Sequence, residues 1–192
     1  MKSKLKLNDQ KMEVLLCGPP SRRESVPVDI LLVGEASIPF SSVVKTPGVT
    51  LDVALSLDQH VSAVVRSCFF HVRSLSKVRS YTTRKAANSI AVSLILSKLD
   101  YCNSLLAGLP QTQIKRQQAA QNAAARTVTK CKKTDHITPI LRQLHWLPVH
   151  NRIHHKVRSA TCLSVHGNAS LYLSELLLHL LLSSQICFKI SP

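Results

Sequence analysis

The stretch LDYCNSLLAGLP, residues 99–110, contains several residue types that catalysis commonly uses. Asp100 stands beside a tyrosine, a cysteine and an asparagine, and an apolar turn follows. Phosphoryl transfer on two metal ions needs two or three carboxylates that converge on the ions. Between positions 61 and 165, however, Asp100 and Asp135 are the only acidic residues, and they lie 35 positions apart. We therefore interpret Asp100 as a polar residue at a helix junction and predict no catalytic residue.

The histidines have one spacing that metal sites use. His150 and His154 are four residues apart on a predicted helix, as zinc ligands often are, and His155 follows. No glutamate lies between them and no third ligand is close in sequence. Exposed or phosphate-contacting histidines are the favoured interpretation, and we predict no metal and no cofactor.

The remaining motifs of enzymes are missing from the sequence. The six cysteines, at positions 17, 68, 102, 131, 162 and 187, form no CxxC pair. No GxSxG and no glycine-rich phosphate loop occurs. Cys102 is interpreted as a small apolar residue, and no small-molecule substrate is predicted. Free thiols are typical of a reducing compartment, here the cytoplasm or the nucleus.

The net charge of +15 is concentrated in one part of the chain. Residues 1–60 carry seven basic and seven acidic residues, whereas residues 61–165 carry 17 basic and two acidic ones. Such an asymmetry indicates a polyanionic partner, RNA or DNA before an anionic membrane surface. Aromatic residues are only 4% of the chain, which favours contacts to phosphates over stacking on bases. The predicted nucleic-acid-binding residues are Arg66, Arg73, Lys77, Arg79, Arg84, Lys85, Lys115, Arg116, Arg126, Lys130, Lys132 and Lys133.

The first part of the chain, residues 1–57, is predicted to be β-rich. EVLLCG, VDILLVG and SSVVKTPGVTLD alternate with turn signals. The third of these candidate strands bends at Pro47-Gly48 and is either an edge strand or interrupted there, because Pro47 has no N–H to donate. Strands this short form at most a small hairpin or sheet remnant.

Residues 58–177 are predicted to form helices. Apolar residues recur at helical spacing from Val61 to Leu75, with Asp58 as the N-cap. Further helices are predicted over residues 83–99 and 111–130, from Thr138-Pro139, and from Pro148 as the first helical residue. Residues 178–192 are predicted to be a degenerate tail. LYLSELLLHLLL, residues 171–182, is too short and too polar to predict a membrane span. The predicted fold is therefore mainly α, an irregular helical bundle behind a small β remnant.

With these residues in hand, the chain resembles the C-terminal part of the reverse transcriptase polyprotein of LINE-type (non-LTR) retrotransposons. The segments that carry the resemblance follow one another in family order over residues 5–177. They are NDQKMEVLLCGPP, GVTLD with LSLDQHVSAVVRSCFFHVRSLSKVRSY, SKLDYCNSLLAGLP, QNAAAR, DHITPILRQLHWLPVHNRI and VHGNASLYLSELL. The sequence departs from the family pattern at several core positions, among them Pro47, Gln117 and Ala120.

The resemblance implies that residues 10–55 are the closing strands of a polymerase palm, with a hairpin near KTPGVTLD beside the primer end. It implies that the helices after residue 58 are a thumb that holds template and primer. The family's catalytic Asp-Asp motif lies upstream of this region, and no Asp-Asp dipeptide occurs here. We therefore expect a truncated, non-enzymatic fragment that binds nucleic acid through its basic helices. Two alternatives stay open: an inert translation product of a decayed element, and a small standalone helical DNA-binding protein.

Overall fold

A computed structural model describes residues 11–25, 30–33 and 36–176. The predicted fold class is confirmed, because the chain is mainly helical and two small antiparallel sheets precede the helices. The predicted tail, Cys187 and the end of the Leu-rich stretch lie outside the described residues. Among the described residues, no helix has the length and apolar character that crossing a membrane requires.

The two sheets are separate β-hairpins of equal strand length. Strands β1 (Ile30–Val33) and β2 (Ala36–Pro39) form the first, and β3 (Val43–Thr46) and β4 (Val49–Asp52) form the second. Pro47 and Gly48 make the turn of the second hairpin, so the interruption predicted there is confirmed. The predicted EVLLCG strand contributes one isolated bridge, from Val14 to Phe40, and a short helix α1 (Pro20–Glu24) follows it.

The remaining helices agree closely with the predicted spans. The structure has α2 (Asp58–Val78), a 3-10 turn (Arg79–Tyr81), α3 (Arg84–Ala91), a π segment (Val92–Leu96), α4 (Ser97–Asp100), a second 3-10 turn (Asn103–Leu106), α5 (Gln111–Thr129), α6 (Ile137–Gln143) and α7 (Val149–Val165). From Arg84 to Asp100 the chain is helical without a break, as predicted, and Thr83 caps its start by accepting a hydrogen bond from the Ala86 amide.

Three predicted helix starts are wrong by one or two residues. Leu57, not Asp58, is the N-cap of α2, and it adopts a left-handed conformation with φ of 56°. The carboxylate of Asp52 stabilises this start, because it accepts the amides of Ser56 and Leu57 at 3.1 and 2.9 Å. Helix α6 begins at Ile137, before the predicted Thr138-Pro139 start, and Pro148 is the N-cap of α7 rather than its first residue.

Two apolar clusters form the core. The larger one joins the C-terminal half of α2 to the α3–α4 helix, α5, α6 and Trp146. The smaller one joins Val49 and Leu57 to Val61 on α2, Ile114 on α5 and the start of α7. The β3–β4 hairpin therefore shares a core with the helices, and the predicted boundary between residues 57 and 58 runs through that core.

Buried glutamines connect α5 to the segment before α7. Gln121 Nε2 donates to the Leu147 carbonyl at 2.8 Å, and the neighbouring Gln118 Oε1 accepts the Val149 amide at 2.8 Å. Gln118 Nε2 also donates to Gln121 Oε1 at 2.9 Å. A buried amide is stable only when it has such partners, so polar residues on the packed face of α5 fix the position of α7.

Candidate nucleic-acid interface

One face of α2 carries three of the predicted cations. Arg66, Arg73 and Lys77 are spaced by seven and four residues, which places them on one side of a helix, and all three are exposed. The buried residues Val61, Cys68 and Leu75 occupy another side of the same helix. Helix α2 therefore separates its core-facing side from a basic stripe.

Helix α5 brings more cations to that stripe. Arg116 Nη2 donates to Ser62 Oγ on α2 at 2.9 Å, and Arg116 Nη1 donates to Gln113 Oε1 at 2.9 Å. Ser62 lies one helical turn before Arg66, so Arg116 stands at the start of the basic stripe. The adjacent Lys115 is also exposed.

An open cavity of about 530 Å³ lies farther along α5, beside Val72 of α2. Small residues, Ala119 and Ala123, line it together with Val72 of α2, and Arg126 and Lys133 line it as well. We call this feature the α2–α5 groove. The small alanine side chains on α5 leave a shallow depression at the surface. The longer side chains of Arg126 and Lys133 lie at its edge.

A second concentration of charge lies where α5 ends and α3 begins. Arg79 Nε and Nη2 donate to the Val128 carbonyl at 3.0 and 2.7 Å, and Arg79 Nη1 donates to the Thr82 carbonyl at 2.8 Å. These bonds hold the last turn of α5 beside the first residues of α3. We call the exposed cations on these segments the basic end; they are Arg84, Lys85, Lys130, Lys132 and Lys133.

Arg79 itself belongs to the interior rather than to this surface. Its side chain is buried, with 9% of the residue exposed, and its guanidinium satisfies carbonyls at the C-terminus of α5. The sequence carried a signal for this placement, because Arg79 follows Leu75 by four residues and continues the buried side of α2. We therefore leave Arg79 out of the proposed interface.

Arg126 has a mixed role. It is half-buried, and its Nη2 donates to the Asp135 carbonyl at 3.3 Å. The Asp135 carboxylate in turn accepts the Lys132 amide at 2.8 Å. Arg126 and Asp135 thus order the loop that presents Lys130, Lys132 and Lys133. Ten of the twelve predicted cations are fully exposed, the exceptions being Arg79 and Arg126.

Asp100 has side-chain partners in place of the backbone contacts expected at a helix junction. Its Oδ2 pairs with Arg152 of α7, and Asn103 Nδ2 donates to its Oδ1 at 3.4 Å. Of the two apolar residues that follow, Leu106 is buried whereas Leu105 is half exposed. Within residues 11–25, 30–33 and 36–176, no three His, Cys, Asp or Glu side chains come together as metal ligands would.

The thiols of the described residues are free, and their surroundings differ. Burial raises the pKa of Cys68 to about 11, although Lys98 acts in the opposite direction. Cys68 Sγ lies 3.8 Å from the Ile95 carbonyl inside the larger core cluster. A protonated, enclosed thiol is a core residue rather than a nucleophile.

Comparison of the chain with protein-family models, with curated proteins and with solved structures found no match.

Proposed function

We propose that this chain is a thumb-like fragment of a retrotransposon reverse transcriptase that binds nucleic acid and has no polymerase activity of its own. The basic stripe on α2, the α2–α5 groove and the basic end would contact the phosphate backbone, with arginines donating two hydrogen bonds to one phosphate where geometry permits. The observation that carries the proposal is the exposure of ten predicted cations on α2, α3, α5 and the loop that follows α5.

The placement of Arg84 and Lys85 gives separate support. Both lie in the first turn of α3, and no acidic residue lies in that turn. Cations at a helix N-terminus oppose the helix dipole, which costs about 0.3–1 kcal/mol each. A bound phosphate would reverse this unfavourable charge pattern.

Few acidic residues are present in this part of the chain to offset its positive charge. The side chain of Asp58 accepts a hydrogen bond from Gln113, the Asp135 carboxylate accepts the Lys132 amide, and Asp100 pairs with Arg152. None of the three lies among the residues that line the α2–α5 groove.

The test is the salt dependence of binding to a labelled RNA–DNA hybrid, followed by fluorescence anisotropy. Each phosphate contact contributes about 0.9 to the slope of log affinity against log salt. The double variant Arg73→Gln/Arg116→Gln should lower that slope by about 2 and weaken binding to hybrids of any sequence. Lys98→Gln is the control, because Lys98 is an exposed cation on α4 that is not among the predicted binding residues and does not line the groove.

Five outcomes would contradict the proposal. Binding that is insensitive to salt, or equal loss in the control and the double variant, would exclude a phosphate interface on the basic stripe. Unfolding without a cooperative transition would favour the inert translation product, and preference for one duplex sequence would favour the standalone DNA-binding protein. Primer extension by this chain with Mg²⁺ would overturn the non-enzymatic assignment.

A further inference from the structure

The outer side of α7 carries a cluster of histidines around an open cavity. The cavity has a volume of about 400 Å³. Its polar lining, which we call the α7 histidine face, consists of His150, Asn151, His154, His155, Arg158 and Ser159. No carboxylate lines this cavity, and none of these residues was among the cations predicted from the sequence.

Two of the imidazoles lie against each other. The ring centroids of His150 and His154 are 4.2 Å apart, with an angle of 64° between the ring planes, and both residues are exposed. Arg158 follows His154 by one helical turn and adds a permanent positive charge to the same cavity. Protonating both imidazoles places like charges close together, which is unfavourable unless an anion accepts their N–H groups.

The groups around this face add to its positive character. On α7 itself, Arg152 and Lys156 line a neighbouring cavity with His155 and Asp100, and Asp100 is already paired with Arg152. On the α6 side, Arg142 and His145 line a third cavity that shares Leu147 and Asn151 with the first. Asp100 is the one carboxylate among the residues lining these three cavities, so protonation of the histidines would raise the local positive charge with little compensation.

A divalent metal ion fits this site less well than an anion does. The described residues supply only two close imidazoles and no group of three ligands, and Arg158 would repel a cation. Metal binding requires neutral imidazoles and strengthens as pH rises, whereas anion binding to imidazolium strengthens as pH falls. The direction of the pH dependence therefore separates the two possibilities.

We propose that the α7 histidine face is a second phosphate-binding site, at which His150, His154 and Arg158 bind phosphodiester groups of RNA or DNA more tightly at acidic pH. The inference rests on the proposed function, because it extends the nucleic-acid interface to α7. An imidazolium has two N–H donors and a positive charge, so protonation of the histidines would add affinity for phosphate to that of the permanent basic surface.

The test measures binding of the full chain to the labelled RNA–DNA hybrid at about pH 6 and about pH 8, at fixed ionic strength and with a chelator present. We expect binding to be on the order of fivefold tighter at the lower pH, with a salt slope steeper by about 1–2. The variant His150→Gln/His154→Gln should remove this increment and keep the affinity at about pH 8. His166→Gln, at the C-cap of α7 and outside the lining of the cavity, should keep the increment.

Each result has a distinct meaning. Salt-dependent binding at both pH values with no increment, or an increment that survives in the double variant, overturns this inference and leaves the proposed function intact. If salt-dependent binding is absent at both pH values, this inference and the proposed function are both overturned. Tighter binding to phosphatidylserine vesicles than to the hybrid, lost in the double variant, would assign the site to a membrane and overturn the nucleic-acid occupant. Far-UV circular dichroism at both pH values confirms that the helices persist.

Discussion

The two hairpins of this chain have the same strand length and the same antiparallel pairing, yet they have different relations to the helices. Val49 of the second hairpin is 6% exposed and packs in the smaller core cluster, and the Tyr101 hydroxyl donates to the Pro47 carbonyl at 2.9 Å. In the first hairpin, Ile30, Leu31 and Leu32 are 45%, 44% and 74% exposed, and the buried Ile38 belongs to neither core cluster. An isolated two-stranded hairpin is marginally stable in water. The contacts with the helices, rather than strand pairing, therefore stabilise the second hairpin.

We expect the largest difference in stability between the two hairpins when the same charge is placed in each of them. Val49→Asp buries an unpaired carboxylate in the smaller cluster, so we expect a loss of about 3 kcal/mol or more in the free energy of unfolding. Leu32→Asp alters a solvent-exposed side chain, so the expected change is within about 0.5 kcal/mol. Urea denaturation monitored by circular dichroism measures both. Equal losses would show that the hairpins depend on the helices to the same degree.

The turn of the second hairpin offers the next largest effect. Gly48 has φ of +82°, and a Cβ there would lie 2.3 Å from Tyr101 Cε1. Gly108 has a similar φ of +86° with no atom within 4 Å of its Cβ position. Gly48→Ala should therefore cost about 1.5–2 kcal/mol, from the backbone strain and the displaced Tyr101 hydrogen bond, whereas Gly108→Ala should cost only the backbone strain of about 1 kcal/mol. Thermal unfolding of the two variants compares them, and a loss at Gly48 no greater than that at Gly108 would contradict the close approach of Tyr101.

The link between β4 and α2 should depend on pH. Burial opposes ionisation of Asp52, but hydrogen bonds from Ser56 and Leu57 outweigh it and lower the pKa of this carboxyl. A lowered pKa means that the ionised carboxylate stabilises the folded state above about pH 4, and that this stabilisation is lost as the pH falls further. Asp52→Ala should cost about 1 kcal/mol at neutral pH, and less at about pH 3. Chemical denaturation at the two pH values measures the difference, and a pH-independent loss would rule out the carboxylate's charge as its cause.

The smallest effect concerns a single hydrogen bond between the hairpin and the helices. Tyr101→Phe removes the bond to the Pro47 carbonyl and should cost about 0.5–1 kcal/mol. Tyr81, which is 90% exposed, gives the matched control Tyr81→Phe with no expected change. Differential scanning calorimetry resolves the pair, and indistinguishable melting temperatures would mean that the Tyr101 hydroxyl does not hold the hairpin.

Much of the helical architecture was predictable from local patterns. The spacing of Val61, Cys68 and Leu75 predicted α2, and the predicted span 111–130 agrees with α5 at Gln111–Thr129. The predicted domain boundary after residue 57 does not separate two cores, because Val49 and Leu57 belong to the smaller core cluster together with Val61. Periodicity reports which residues share one side of an element, but it does not report which separate elements share a core.

The candidate interface was predictable in composition and less so in detail. Lys77 and Arg79 are two residues apart and chemically alike, yet Lys77 is exposed and Arg79 is buried. The histidine face is a similar case, since its spacing was visible but its cavity and the pairing of Asp100 with Arg152 were not.

Local spacing and composition were enough to predict the helical segments, the excess of positive charge after residue 60 and the exposure of most of the candidate cations. The hairpin that the helices stabilise, the burial of Arg79 and the contact between the His150 and His154 rings are seen only in the folded chain. The physical reason is that these outcomes depend on distant segments: Arg79 finds its carbonyl acceptor 49 residues away at Val128, and Tyr101 finds its acceptor 54 residues away at Pro47. Local spacing fixes the direction of a side chain from its own helix, whereas the packing of other segments fixes what that side chain meets.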